Sequence, residues 1–177
     1  MTNEEIKALI DRYDICDNRD GRMCIRNARG ITAAEKRALA AAKPEILAYF
    51  AAEREAQEAA QRQKLQRFEA IAGIKELRAV REALHEWRRK FERAMERGDG
   101  ILPSCAYTSA DEKALCEKYP GAVFALSVDA RRHGANYELS AIAQKAYDAL
   151  CDGQDWQTVK AAYEADDADF VQRHIWD

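Results

Sequence analysis

The chain has 177 residues, with 28 Lys and Arg against 31 Asp and Glu and a formal net charge of -3, so neither a polycation nor a polyanion is expected. One ordinary domain or two small ones would account for this length. Eight glycines, three prolines, a charged fraction of 33% and a mean hydropathy of -0.57 exclude a β-sandwich with a turn every ten residues or so. They point to a mostly α protein with long solvated helical faces.

No apolar run approaches the roughly eighteen residues of a membrane span. The opening MTNEEIKALIDRYD also lacks the basic, apolar and small-residue order of a secretory leader. The expected compartment is cytoplasmic, with no membrane partner.

In chain order, Thr2 and Glu5 form a capping box, and Ile6, Leu9 and Ile10 mark one face of a short helix ending near Asp11. Tyr13, Ile15 and then Met23, Ile25 alternate with polar neighbours on either side of Asp17-Asn18-Arg19-Asp20-Gly21. That pattern predicts a two-stranded hairpin, with Asn27 to Gly30 as its exit turn. Such a hairpin is marginal alone, so its apolar face is expected against the flanking helices. Thr32 and Glu35 form a second capping box, and Lys43-Pro44-Glu45 restarts a helix with proline in its first turn. Residues 1–52 thus read as a small αββαα unit.

From Pro44 the pattern stays helical to Ala72, about 28 residues or roughly 42 Å. Its middle, EREAQEAAQRQ, offers only alanines as apolar groups and reads as a solvated connector. Phe68, Ile71, Ile74, Leu77, Val80, Leu84, Trp87, Phe91 and Met95 then recur at spacings of three and four, a coiled-coil-like seam. Gly73 interrupts the seam at about 1 kcal/mol relative to alanine, which leaves one long helix and a break into two antiparallel helices both open. This long basic amphipathic segment, residues 53–98, stops at Gly98-Asp99-Gly100, and Ile101 to Thr108 reads as an extended connection.

Residues 99–177 read as an acidic helical domain. Helices are expected near Ser109 to Lys118, Gly121 to His133 and Asn136 to Cys151, with a last one near Trp156 to His174 that begins at an Asp155 cap. Tyr119, Phe124, Tyr137, Leu150, Val159, Phe170 and Ile175 are among the apolar residues available for a bundle core.

Lys and Arg against Asp and Glu count 10 to 11 over residues 1–60, 11 to 6 over 61–97 and 7 to 14 over 98–177. A near-neutral total therefore hides a basic middle and an acidic end. Arg78, Arg81, His85 and Arg88 follow one side of the seam helix, and Arg89, Arg93 and Arg97 step by four on the other. Arg78, Arg81, Arg88, Arg89 and Arg93 are the candidate contacts for a polyanion or an acidic partner, since a basic helix face can track phosphates. Glu76, Glu82, Glu86, Glu92 and Glu96 interleave with them and equally allow an ion-paired solvated face.

Little in the sequence suggests a reaction. Cys16, Cys24, Cys105, Cys116 and Cys151 are odd in number and include no C-x-x-C pair, which fits reduced thiols and neither a disulfide framework nor a zinc site. Cys16 and Cys24 fall on the two hairpin strands and could face each other. His85, His133 and His174 lack metal-ligand spacing, and Asp166-Asp167-x-Asp169 lacks the glycine and distal glutamate of a calcium loop. Spacing gives no support to Cys105 beside Ser104, or to Cys116 with His133, as a nucleophile and base. A non-enzymatic protein without metal or cofactor is expected.

The string I31-T32…L39…K43-P44-E45-I46-L47…F50 after a helix and hairpin resembles the TubC N-terminal docking domain. The resemblance implies an αββαα module that dimerises or docks through its hairpin edge, here Arg22, Met23, Cys24, Ile25 and Arg26. Tyr119-Pro120-Gly121-Ala122, Asn136-Tyr137, Lys145-Ala146, Gly153-Gln154-Asp155-Trp156 and His174-Ile175-Trp176-Asp177 resemble the ends of reading frames from phages and mobile elements. Some of those are similar to type II-A anti-CRISPR proteins. That resemblance implies a phage-type inhibitor in a host bacterial cytoplasm, binding a Cas9-like nucleoprotein effector and blocking its DNA binding or cleavage. A docking or dimerising adaptor and a direct DNA-binding accessory protein are the alternatives.

Overall fold

A computed structural model describes residues 2–18, 22–27, 31–98, 100 and 102–174. The described residues form seven helices and one two-stranded antiparallel hairpin. Met1, residues 19–21 and 28–30, on which the expected hairpin turn and exit turn fall, Asp99, Ile101 and Ile175 to Asp177 lie outside them. The chain divides into two compact units, Met1–Arg62 and Gln63–Asp177.

In the first unit α1 (Asn3–Tyr13) opens with the expected capping box, the Thr2 hydroxyl accepting from the Glu5 N–H while Glu5 accepts from the Thr2 N–H. It continues two residues past Asp11, so Tyr13 closes the helix and does not begin a strand. Asp14 then turns the chain in left-handed backbone (φ 46°), a conformation in which aspartate is less disfavoured than most residues. β1 (Ile15–Asp17) pairs antiparallel with β2 (Met23–Ile25) in the register Ile15 to Ile25, Cys16 to Cys24 and Asp17 to Met23. Ile15, Met23 and Ile25 face a small core with Ile6, Tyr13, Leu39, Ala42 and Ile46.

The helix restart expected at Pro44 does not occur. α2 (Ala33–Glu69) runs through that position with the proline inside it, although an interior proline forfeits one backbone hydrogen bond and crowds the carbonyl four residues back. Leu39 and Ala42 before the proline and Ile46 after it are all buried in the same core. Packing on both sides thus holds the helix through a residue that propensity alone would place at its start. Residues 55–67 are exposed, in keeping with a solvated connector.

The second unit contains the end of α2 followed by α3 (Ile74–Arg97), α4 (Ser109–Lys118), α5 (Pro120–Arg131), α6 (Tyr137–Cys151) and α7 (Trp156–His174). At Gly73 the seam breaks: its φ of 83° is left-handed, which glycine adopts without strain. A Cβ there would fall 2.2 Å from Cγ of Tyr119, so the bare backbone also makes room for that ring.

α5 packs against α3, α6 and α7, burying Ala122, Ala125 and Val128 completely together with Phe68, Ile74 and Leu77. Phe68 packs on Tyr147 at 4.8 Å between centroids, and the Arg132 guanidinium lies 4.0 Å from the Tyr147 centroid. Tyr137 was expected in this core and is instead 86% exposed. It occupies the first position of α6, outside the stretch from Ala143 to Cys151 that contains the helix's buried residues.

Candidate interaction surface on α3

α3 is bounded by two left-handed glycines, Gly73 at its start and Gly98 at its end, where the Gly98 N–H returns to the last-turn carbonyls. Its inner line, Ile74, Leu77, Val80 and Leu84, is buried, and the seam then loosens. Trp87 and Phe91 are half-buried, and Met95 is 60% exposed. The connection after α3 returns over this end: the Trp87 indole donates to the Pro103 carbonyl at 2.8 Å, and the Cys105 thiol lies 3.8 Å from the Ala83 carbonyl.

The five candidate arginines have unequal surroundings. Arg78 reaches Glu69 at 3.4 Å and Asp129 of α5 at 3.9 Å, and Arg81 donates to Glu112 of α4 at 2.9 Å with Cys116 beside it. These two brace α3 against its neighbours. Arg88, Arg89 and Arg93 are exposed and form no ion pair among the described residues.

The interleaved glutamates neutralise fewer arginines than their spacing allows. Glu86 pairs with Lys90 at 2.8 Å, and that hydrogen bond, with the charges of Lys90 and Arg89, holds its carboxyl below the usual range. Arg88, Arg89 and Arg93 remain available. Guanidinium forks of this kind match phosphate or carboxylate oxygens two at a time.

No protein-family model, curated protein or solved structure matches this chain. The reading of the surface accordingly rests on its own chemistry.

The other candidates resolve plainly. In the hairpin, Met23 and Ile25 pack on the core of their own unit, while Arg22 and Arg26 are exposed and Cys24 lies on the opposite face of the sheet. Each strand pairs on one side only among the described residues. The acidic run of α7 is ion-paired: Asp166 with Lys145, Asp167 with Arg131 and Asp169 with Arg173. Among the described residues no group of three or more His, Cys, Asp or Glu could hold a metal ion.

Cys116 is engaged by Arg81, His133 is exposed, and His174 stacks on Phe170 while bonding the Phe170 carbonyl. A groove of about 610 Å³ lies between α6 and α7, with Ile142, Ala146, Val159 and Tyr163 among its apolar lining and Asp148 and Asp166 on its polar side. Asp148 is tied to Lys64 at 2.6 Å. No helix is long and apolar enough to cross a membrane among the described residues.

Sequence reasoning missed two close approaches. Gly73 lies under Tyr119, and Gly121 lies against Trp156, where a Cβ would meet the indole at 3.0 Å. Neither has a local signal, because each partner is distant along the chain.

Proposed function

We propose that this chain is a non-enzymatic binding protein that grips a nucleoprotein through the outer surface of α3. We further propose a Cas9-type effector as its target, with blocked DNA binding or cleavage as the result. One observation carries the reading: Arg78 and Arg81 are consumed by internal pairs, whereas Arg88, Arg89 and Arg93 are exposed and unpaired among the described residues. Engaging three such groups breaks no internal salt bridge, and each phosphate contacted releases condensed counterions. The target comes from the resemblance of the C-terminal half to phage and mobile-element reading frames, some of which are similar to type II-A anti-CRISPR proteins.

The test measures binding of the full chain to a purified Cas9–guide complex across a salt series, alongside Arg88→Glu/Arg89→Glu/Arg93→Glu. The variant is expected to bind at least about tenfold more weakly and with a shallower salt dependence. Equal affinity of variant and parent would reject the surface. Absence of binding by the parent would reject the target, and equal affinity for bare duplex DNA would mark a direct DNA-binding protein.

A second reading, a docking adaptor using the hairpin edge, is favoured by strands that pair on one side only among the described residues. The ladder bonds Asn18 to Arg22 and Arg26 to Asp14 place the Met23 N–H on the outer edge. Met23→Pro would therefore remove an edge donor without breaking the ladder. Loss of self-association or partner docking in that variant would favour the adaptor, and retention would exclude it.

A further inference from the structure

We infer that Cys16 and Cys24 form a thiol–disulfide exchange site on the outer face of the hairpin, closing into an intrachain disulfide when a low-molecular-weight disulfide such as oxidised glutathione reaches it. The two cysteines are direct cross-strand partners in an antiparallel ladder, and both are free and half-exposed. Directly opposed residues place both side chains on the same face. The bonds on either side, Asn18 to Arg22 and Arg26 to Asp14, make this a hydrogen-bonded pair, for which Cα atoms about 5.5 Å apart are usual. That Cα spacing lies within the disulfide range, and closure draws the Cβ atoms in from the roughly 5.5 Å of a hydrogen-bonded pair to about 3.8 Å, a local tightening of the two strands.

Ile15, Met23 and Ile25 occupy the core-facing side, so closure displaces no core residue. The Asn18 amide lies 3.0 Å from the Cys24 sulfur, placing a donor where thiolate charge would develop. The other three cysteines belong to the second unit and have different surroundings. Cys151 is 1% exposed with its thiol pushed up by burial, while Cys105 and Cys116 contact the Ala83 carbonyl and Arg81.

The chemistry balances in two exchanges. One thiolate attacks oxidised glutathione, forming a mixed disulfide and releasing one reduced glutathione. The second thiolate attacks the protein sulfur of that mixed disulfide, closing the Cys16–Cys24 bond and releasing another. Two protein thiols are oxidised and one glutathione disulfide is reduced to two thiols.

The test incubates the full native chain with oxidised glutathione, quenches by acid and maps the product by mass spectrometry. The expected product is lighter by the mass of two hydrogens, with a Cys16–Cys24 cross-linked peptide and the remaining thiols free. Cys24→Ser should instead retain one glutathione on Cys16. Amide exchange in Ile15–Asp17 and Met23–Ile25 should slow in the oxidised product. Unreacted thiols, glutathione retained on both cysteines, or a bridge to Cys105, Cys116 or Cys151 would overturn the inference. Equal or faster strand exchange would also overturn it, since such a bridge would not belong to the native register.

Discussion

Replacing Gly73 with alanine separates two accounts of the seam that differ in sign. Were Gly73 inside a continuous helix, alanine would stabilise the protein by about 1 kcal/mol. In the structure its φ is 83°, left-handed backbone that costs an L-residue about 1–2 kcal/mol. Its new Cβ would lie 2.2, 2.4 and 2.6 Å from Cγ, Cδ2 and Cβ of Tyr119. The last of these is one bond from the backbone, so a rotamer change cannot clear the overlap. Overpacking of this kind costs about 1–3 kcal/mol, for a total of about 2–5 kcal/mol.

Gly98→Ala is the internal control, because Gly98 is also left-handed at 69° but has nothing within 4 Å of the added atom. It should lose only the backbone part, about 1–2 kcal/mol. Urea unfolding of the two variants, compared by midpoint at constant slope, reads the difference. If Gly73→Ala proves no worse than Gly98→Ala, or stabilises the chain, the break and its packing on Tyr119 are refuted.

Four further substitutions test the electrostatics. Glu35 is held near pKa 2, below its usual 4.5, first by the Thr32 backbone N–H, then by the Thr32 and Tyr13 hydroxyls, with Arg12 adding to them. A depressed carboxyl stabilises the fold above its unfolded pKa and loses that contribution as pH falls through the folded one. Stability of the first unit should therefore decline between about pH 4.5 and 2, and Glu35→Gln should flatten that decline in acid titrations followed by hydrogen exchange. Tyr147 has its phenol pushed up to about 12, chiefly by burial, with the nearby Cys151 next. The sign is reversed, so stability should fall as pH rises from about 10 to 12, and Tyr147→Phe should remove that component of the alkaline unfolding curve. Arg81→Ala should cost about 0.5–1.5 kcal/mol, modest because the pair with Glu112 is partly solvated, while Arg88→Ala should fall within about 0.5 kcal/mol of the parent. Thermal melts of both check this, and equal losses would dissolve the distinction between bracing and available arginines.

What was legible in the sequence was local. The capping boxes at Thr2 and Thr32 and the Asp155 cap bonding the Thr158 N–H are visible because donor and acceptor lie three residues apart. The hairpin and the helices from Ser109 onward were readable because turn formers, alternation and cap residues are also local signals, whereas the strand register emerges only in the structure. Pro44 was misread because the residues that hold the helix across it, Ile6 and Ile15 among them, lie in other elements.

The arginines show where this limit falls. Arg81 and Arg88 are seven residues apart, separated by only about 20° around the helix and about 10.5 Å along it. Periodicity treats them as equivalent. The difference arises because α4 brings Glu112 alongside Arg81, while no described carboxylate pairs with Arg88. Position along the axis relative to a neighbouring helix thus decides which cations are ion-paired within the fold and which stay unpaired among the described residues, and that quantity appears only once α4 has docked.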